Sequence, residues 1–316
     1  MRLFANAHYE FIAWRRKAYV VSAVALMVSL VAALAWQVSR GSWLRYGVDF
    51  SGGTLIQVRF EDDVSIAEVR AALTEFPNAQ PTRFGEDAEY LIRTPQVGEI
   101  ASEAAEEVPL ALEAAFGEGR FEILRTEAVG AKVGSELQTR AILAILLSFA
   151  ATLIYLAFRF EWRFGLAAII ATAHDILLTL GLISLLQIEV ALPTVAAVLT
   201  IVGYSLNDTI VIFDRIRENL HGLARRADFD QVLDRSINET LPRTVLTSGT
   251  TLAVLFALFL FAGGMIREFA LILIVGIVLG TYSSIFVAAP ALREIERRWP
   301  AARKKPGRPA RARATA

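Results

Sequence analysis

A chain of 316 residues that is 55% hydrophobic is too apolar for an ordinary soluble domain and points to a membrane protein. Its 32 basic and 32 acidic residues balance, so no global field argues for nucleic acid as a partner. There is no cysteine, which excludes disulfides, thiol catalysis and cysteine-based metal sites, and His8, His174 and His221 are too scattered for a zinc site, so no metal is expected.

A membrane helix needs about 20 mostly apolar residues. Six stretches qualify: 18–36, 141–158, 164–186, 191–213, 245–262 and 269–289. The expected order is an N-terminal tail (1–17), a first transmembrane helix (18–36), a water-facing domain (37–140), a five-helix remainder of the bundle (141–290) with a loop at 214–243, and a basic tail (291–316). The first apolar run exceeds the core of about 7–15 residues typical of a signal peptide, so it reads as an uncleaved span.

The domain opens with "YGVDFSGGTLIQVRF". Thr54, Ile56, Val58 and Phe60 alternate with Leu55, Gln57 and Arg59, the period of a strand. Gly47, Asp49, Gly52 and Gly53 ahead of it read as a structural turn. "SIAEVRAALTEF" is an amphipathic helix with a Ser65–Glu68 capping box. "EYLIRT" is a second strand, "GEIASEAAEEVPLALEAAFG" a second helix interrupted at Pro109, and "RFEILRTEAVG" a third strand. The order βαβαβ predicts a small α+β, ferredoxin-like domain. Positions 37–140 hold 18 acidic and 10 basic residues, a solvated charge distribution with no catalytic pair.

Polar side chains inside the spans form stripes. In the third span Thr172, Asp175 and Thr179 fall at i, i+3 and i+7, with His174 beside Asp175. In the fourth, Thr200, Tyr204 and Asp208 repeat every four residues, Ser205 extends that face and Asn207 borders it. Asp208 lies about 9 Å from the centre of its span, still within the hydrocarbon. The fifth begins with Pro242 and carries Arg243, Thr247, Thr250 and Thr251 on one face. Gly276, Gly280, Ser283 and Ser284 make a small-residue packing face in the sixth.

A carboxylate in a lipid span is expensive and normally marks a pathway. If the stripes meet, the bundle centre holds Asp175, His174, Asp208 and Arg243. A carboxylate next to a movable cation has two states, charged and paired or protonated and released, which makes it a proton switch. The competing reading is polar packing between helices.

Two short apolar stripes in the 214–243 loop (Ile216, Leu220, Leu223; Val232, Leu233, Ile237) predict interfacial helices. Arginine and lysine gather in the N-terminal tail, around Arg159 and Arg163, in the 214–243 loop and in the C-terminal tail, while "QIEV" has none. With six spans these fall on one side, so both termini are expected to be cytoplasmic and the domain to face outward.

The motifs "GVDFSGG", "AHDILLTLGL", "GYSLNDTIVIFDRIREN", "NETLPRTVLTSGTTL" and "GTYSSIFVAAPAL", in this order and on these spans, resemble the SecD/SecF family of protein-export membrane subunits within the RND superfamily, closer to the SecF form than to SecD. The likeness runs from about Ala18 to Leu292 and leaves out the tail after Arg298. It implies six transmembrane helices forming an RND-type half in a bacterial inner membrane. It implies no enzymatic activity and no cofactor, with protons as the coupling ion. The implied partners are SecD, the SecYEG channel, SecA, YajC and exported unfolded polypeptides. The family's proton-linked carboxylate falls on Asp208, its functional arginine on Arg243 and its histidine–aspartate pair on His174 and Asp175, with Asn207 adjacent; 37–140 corresponds to the moving outward domain.

Two rivals follow from the same residues. A small-molecule or lipid exporter of the RND superfamily would resemble two such halves with larger outward domains. A non-transporting assembly subunit would use the polar stripes only for packing and would tolerate a neutral residue at 208.

Overall fold

The computed structural model describes residues 8–76, 78–84, 88–94, 103–223 and 228–300. Helix α1 (Arg15–Arg40) leads through strand β1 (Arg45–Tyr46) and a single turn, α2 (Val48–Ser51), into the domain: β2 (Gly53–Phe60), α3 (Ile66–Ala72), β3 (Gln80–Arg83), β4 (Glu89–Thr94), α4 (Glu103–Phe116) and β5 (Phe121–Val129). Then come α5 (Ala131–Arg159), α6 (Trp162–Leu186), β6 (Glu189–Val190), α7 (Leu192–Leu223), α8 (Phe229–Phe261), α9 (Gly264–Ser283), a π-helical turn (Ser284–Ala288) and α10 (Ala289–Arg298).

Among the described residues six helical segments are long and apolar enough to cross a membrane. The protein is therefore a multi-pass membrane protein with a small α+β domain between spans one and two. The spans differ in how they pack. Those of α6, α7 and α9 are half or more buried, whereas α5 turns nearly all of its surface outward. Ile142, Leu143, Leu146 and Leu147 are exposed on it, an apolar face suited to lipid.

The sheet is fully antiparallel in the order β3-β4-β2-β5. The element order is βαββαβ, not βαβαβ: the prediction lacks β3. With it, the topology is the ferredoxin-like split βαβ. Ile56, Val58, Phe60, Tyr90 and Ile92 point to one face and bury Val69, Leu73, Val108 and Leu112 of the two helices. Leu55 and Leu91 point to the other face with Val48 and Phe84, toward the membrane bundle. Both halves of the Ser65–Glu68 capping box are present.

Three expectations about helices need correction. Pro109 does not break α4, which runs continuously around it because Val108 and Leu112 anchor it to the sheet; residues 98–102 of that predicted helix lie outside the described residues. Among the described residues of the 214–243 segment no separate interfacial helix stands. Helices α7 and α8 simply continue beyond the apolar runs, and the buried Ile216, Val232, Leu233 and Ile237 hold their ends together. Pro242 consequently sits inside α8 rather than at its start.

The end of the bundle far from the sheet is also closed by the N-terminal segment. Tyr9 N–H donates to Asn238 Oδ1 at 2.9 Å and Ile12 N–H to Asp234 Oδ1 at 2.8 Å, with Ile12 fully buried. Arg293 holds Asp230 through two hydrogen bonds of 2.6 and 2.8 Å. The basic tail beyond residue 300 lies outside the described residues.

Candidate functional site

Asp175, on α6, is 1% exposed. Its Oδ2 accepts hydrogen bonds from Ser205 Oγ of α7 at 2.5 Å and Ser283 Oγ of α9 at 2.6 Å. Its Oδ1 lies 3.0 Å from His174 Nδ1, whose other ring nitrogen lies 3.0 Å from Ser22 Oγ of α1. Ser22 is 3.3 Å from Tyr282 Oη, which donates to the Ala18 carbonyl. One carboxylate therefore gathers groups from three helices, and the chain of hydrogen bonds continues from it through the imidazole to a fourth, α1.

The close approach of these helices depends on small residues. A Cβ on Gly280 would lie 3.0 Å from Ser205 Cβ, and one on Gly276 would lie 2.1 Å from Ile201 Cδ1. A Cβ on Gly181 would meet Ser29 of α1 at 2.2 Å. The predicted packing face is thus where α9 meets α7, and Ser283, read from sequence as packing, also ligates the carboxylate. Ser284 bonds Thr209 Oγ1 at 2.9 Å within the π-helical turn.

Asp208 is 3% exposed and sits in a second network. Ser248 Oγ of α8 approaches its Oδ2 at 3.5 Å and pairs with Thr281 Oγ1 of α9 at 2.8 Å. No ion pair to Asp208 is formed among the described residues. Arg243 does not occupy the centre as expected. It is near enough for its charge to act on Asp208 but lies exposed on the bundle surface. Thr200 and Asn207 are exposed as well, and Thr200 bonds only back to the Ala196 carbonyl. Tyr204 is half-buried, with its Oη 3.4 Å from Thr251 Oγ1. Thr247, also half-buried, bonds back to the Arg243 carbonyl. Sequence spacing aligned the stripes, but a face wide enough to hold Thr200 and Asp208 is split between bundle interior and surface.

The glycine-rich turn joins the domain to the bundle. Strand β1 pairs in parallel with β6, and Gly47 N–H donates to the Val190 carbonyl at 2.9 Å. Asp49 Oδ2 accepts from Leu192 N–H at 2.8 Å and so caps α7. Gly52 has φ 74° and Gly53 φ 118°, both reserved for glycine. Next to this turn, Arg93 of β4 is ion-paired with Glu189 of β6, both largely buried, with Arg45 and Glu268 in electrostatic reach. Burial, aided by the like charge of Arg45 and opposed by Glu268, brings the Arg93 guanidinium down to about 10, so it remains cationic at neutral pH. Sequence reading missed Ser22, Ser248, Thr281, Arg93, Glu189 and Glu268. The one signal for the first was a serine, one of two, in an apolar run.

Residues 111–298 match the family described as Protein export membrane protein SecD/SecF, C-terminal, and residues 41–64 match the SecD/SecF GG motif. The protein translocase subunit SecF of Gemmatimonas aurantiaca is 46% identical over 310 residues, covering 95% of this chain and 91% of that one. The protein translocase subunit SecDF of Thermus thermophilus is 41% identical over 280 residues, 86% of this chain but 36% of that longer one. The crystal structure of SecDF, a translocon-associated membrane protein from Thermus thermophilus, superposes with a TM-score of 0.79 at 38% identity, and this chain spans 40% of its length. The two networks of buried carboxylates and the glycine-rich joint are therefore those of a chain that belongs to the SecD/SecF family.

Proposed function

We propose that this chain is a subunit of the protein-export machinery that couples the proton-motive force to polypeptide movement. The observation that carries this reading is Asp208, buried inside a membrane helix with hydroxyl neighbours and no ion pair among the described residues. A carboxylate so placed changes its hydrogen bonding when it takes up a proton. Asp175 adds a second titratable group. Its Oδ2 accepts from hydroxyls on two helices, so a proton on that oxygen forces one serine to turn from donor to acceptor. His174, Ser22 and Tyr282 extend the chain of exchangeable hydrogens toward α1.

Pairing with SecD is supported by the fused SecDF relative and by the polar face that Thr200, Asn207, Arg243 and Thr250 expose. SecYEG, SecA and YajC are partners expected from the family resemblance, and unfolded polypeptide is the cargo. The basic residues at the bundle end far from the sheet (Arg159, Arg163, Arg215, Arg217, Arg297 and Arg298) support a cytoplasmic location for that end and for both termini. The chemistry is transport, without covalent steps.

The test is export into membrane vesicles carrying Asp208→Asn, with and without a proton gradient, after the subunit is shown to be present and assembled. The gradient-stimulated part of export is expected to vanish while the ATP-driven part survives. Unchanged stimulation would refute the assignment of Asp208.

A further inference from the structure

Helix α7 starts at the sheet domain and carries Asp208. Its first amide is held by Asp49 of the glycine-rich turn, and from Leu192 to Asp208 the helix is continuous, about 24 Å of rod. Glu189, just ahead of α7, is paired with Arg93 in the middle of the sheet. Glu268, near the start of α9, lines the same small cavity as Glu189 and acts on the same arginine, and Arg45 of β1 balances the set at two cations and two anions. Other contacts brace the joint. A Cβ on Gly134 of α5 would lie 3.0 Å from Phe50 O and from Gly52 N, and Gly264 at the α9 start faces the Phe84 ring tip, where a Cβ would come within 2.9 Å.

These contacts fall on both edges of the domain's underside. A domain swinging on a flexible stalk would need to break a largely buried ion pair, a helix cap and a backbone-close seam together, and would strand an unpaired charge.

We infer that Arg93, Glu189 and Glu268, with the Asp49 cap, are positioning residues that make the sheet domain one mechanical body with α7 and α9. Displacement of α7 beginning at Asp208 then reaches the domain through the rod itself. The inference rests on the proton-coupled reading only for what drives α7; the rigid joint stands on its own contacts.

The chain has no cysteine, so a unique pair can be introduced. In Arg93→Cys/Glu189→Cys the ion pair is lost, and a bis-methanethiosulfonate reagent can replace it with a covalent tether. Export in vesicles is expected to fall about tenfold in the untreated double variant, to return on cross-linking, and to fall again on reduction. Native export without the reagent would overturn the inference, as would failure of the tether to restore it. If the double variant does not accumulate in membranes, Phe84→Cys/Met265→Cys, at two residues that line one small cavity between the sheet and the start of α9, is bridged instead in the otherwise native chain. Unimpaired export by the bridged form supports a fixed joint, and reversible arrest overturns it. Total export is the readout, so these results stand apart from the outcome of Asp208→Asn.

Discussion

Gly52→Ala is the sharpest probe of the joint. Gly52 has φ 74° and ψ 167°, a combination essentially reserved for glycine, and forcing alanine there costs about 1–3 kcal/mol. Its new Cβ would stand 2.8 Å from Ala131 Cα and 3.0 Å from Ala131 N. Those are backbone atoms at the start of α5, so no side-chain rotation relieves the overlap, and overpacking adds about 1–3 kcal/mol. The expected loss is about 2–6 kcal/mol. Gly41→Ala is the control, because Gly41 also has positive φ, at 76°, but a Cβ there meets nothing within 4 Å. Its cost is about 1 kcal/mol, the left-handed penalty partly offset by a stiffer unfolded chain. Thermal unfolding of the purified protein, followed by fluorescence of its five tryptophans, converts these to Tm shifts at about 2 °C per kcal/mol for a chain of this size. Gly52→Ala should fall by about 4–12 °C and Gly41→Ala by about 2 °C. Equal shifts would show that neither the extended ψ of Gly52 nor the α2–α5 seam adds a cost, and would refute the reasoning.

Two further outcomes follow from the bundle. Gly276→Ala should destabilise by about 1–3 kcal/mol because Ile201, itself buried, must yield, and Ile201→Ala in the same chain should recover much of that loss in a double-mutant cycle read by thermal unfolding. Ser205→Ala and Ser283→Ala each remove one of two hydroxyls on Asp175 Oδ2, at about 1.5–3 kcal/mol apiece, and the double variant should cost more than the sum because that oxygen then has no donor; additive losses would place a water or another donor there.

The architecture was legible where one physical signal dominates. Six apolar runs long enough to span hydrocarbon gave six membrane helices, and period-two alternation gave β2, with β4 and β5 also read as strands. Strand β3 reads "QPTR", with no alternation and a proline. It survives as a strand because it lies at the sheet edge and pairs only with β4, where a missing N–H is tolerated. The continuous ends of α7 and α8 were hidden for a different reason. Their polarity and Pro242 resemble a helix boundary, but the buried Ile216, Leu233 and Ile237 stabilise the helices across it. In the site, Asp175 and Asp208 stood out because a carboxylate amid apolar residues is costly anywhere. Their partners did not, since Ser22, Ser248 and Ser283 acquire meaning only from the register of four helices, which the contact of Gly280 with Ser205 helps to set.

The position of Arg243 follows from the same asymmetry. Where α5 faces outward it shows leucine and isoleucine, as a lipid-facing helix must. Where α7 and α8 face outward they show Thr200, Asn207, Arg243 and Thr250 alongside exposed apolar residues such as Leu246, Val254 and Phe256. Arg243 stands at the start of the fifth apolar run, where an arginine left against hydrocarbon costs less than the about 2.5–3.5 kcal/mol of one at the centre of a span. Ser248, which reaches Asp208, and Arg243, whose charge acts on it, both belong to α8, the helix that carries part of this polar surface. A partner helix laid there would bury Arg243 and, by excluding water, strengthen its attraction for the Asp208 carboxylate. Assembly and proton coupling would then share one surface, and a neutral residue at position 243 should weaken both together.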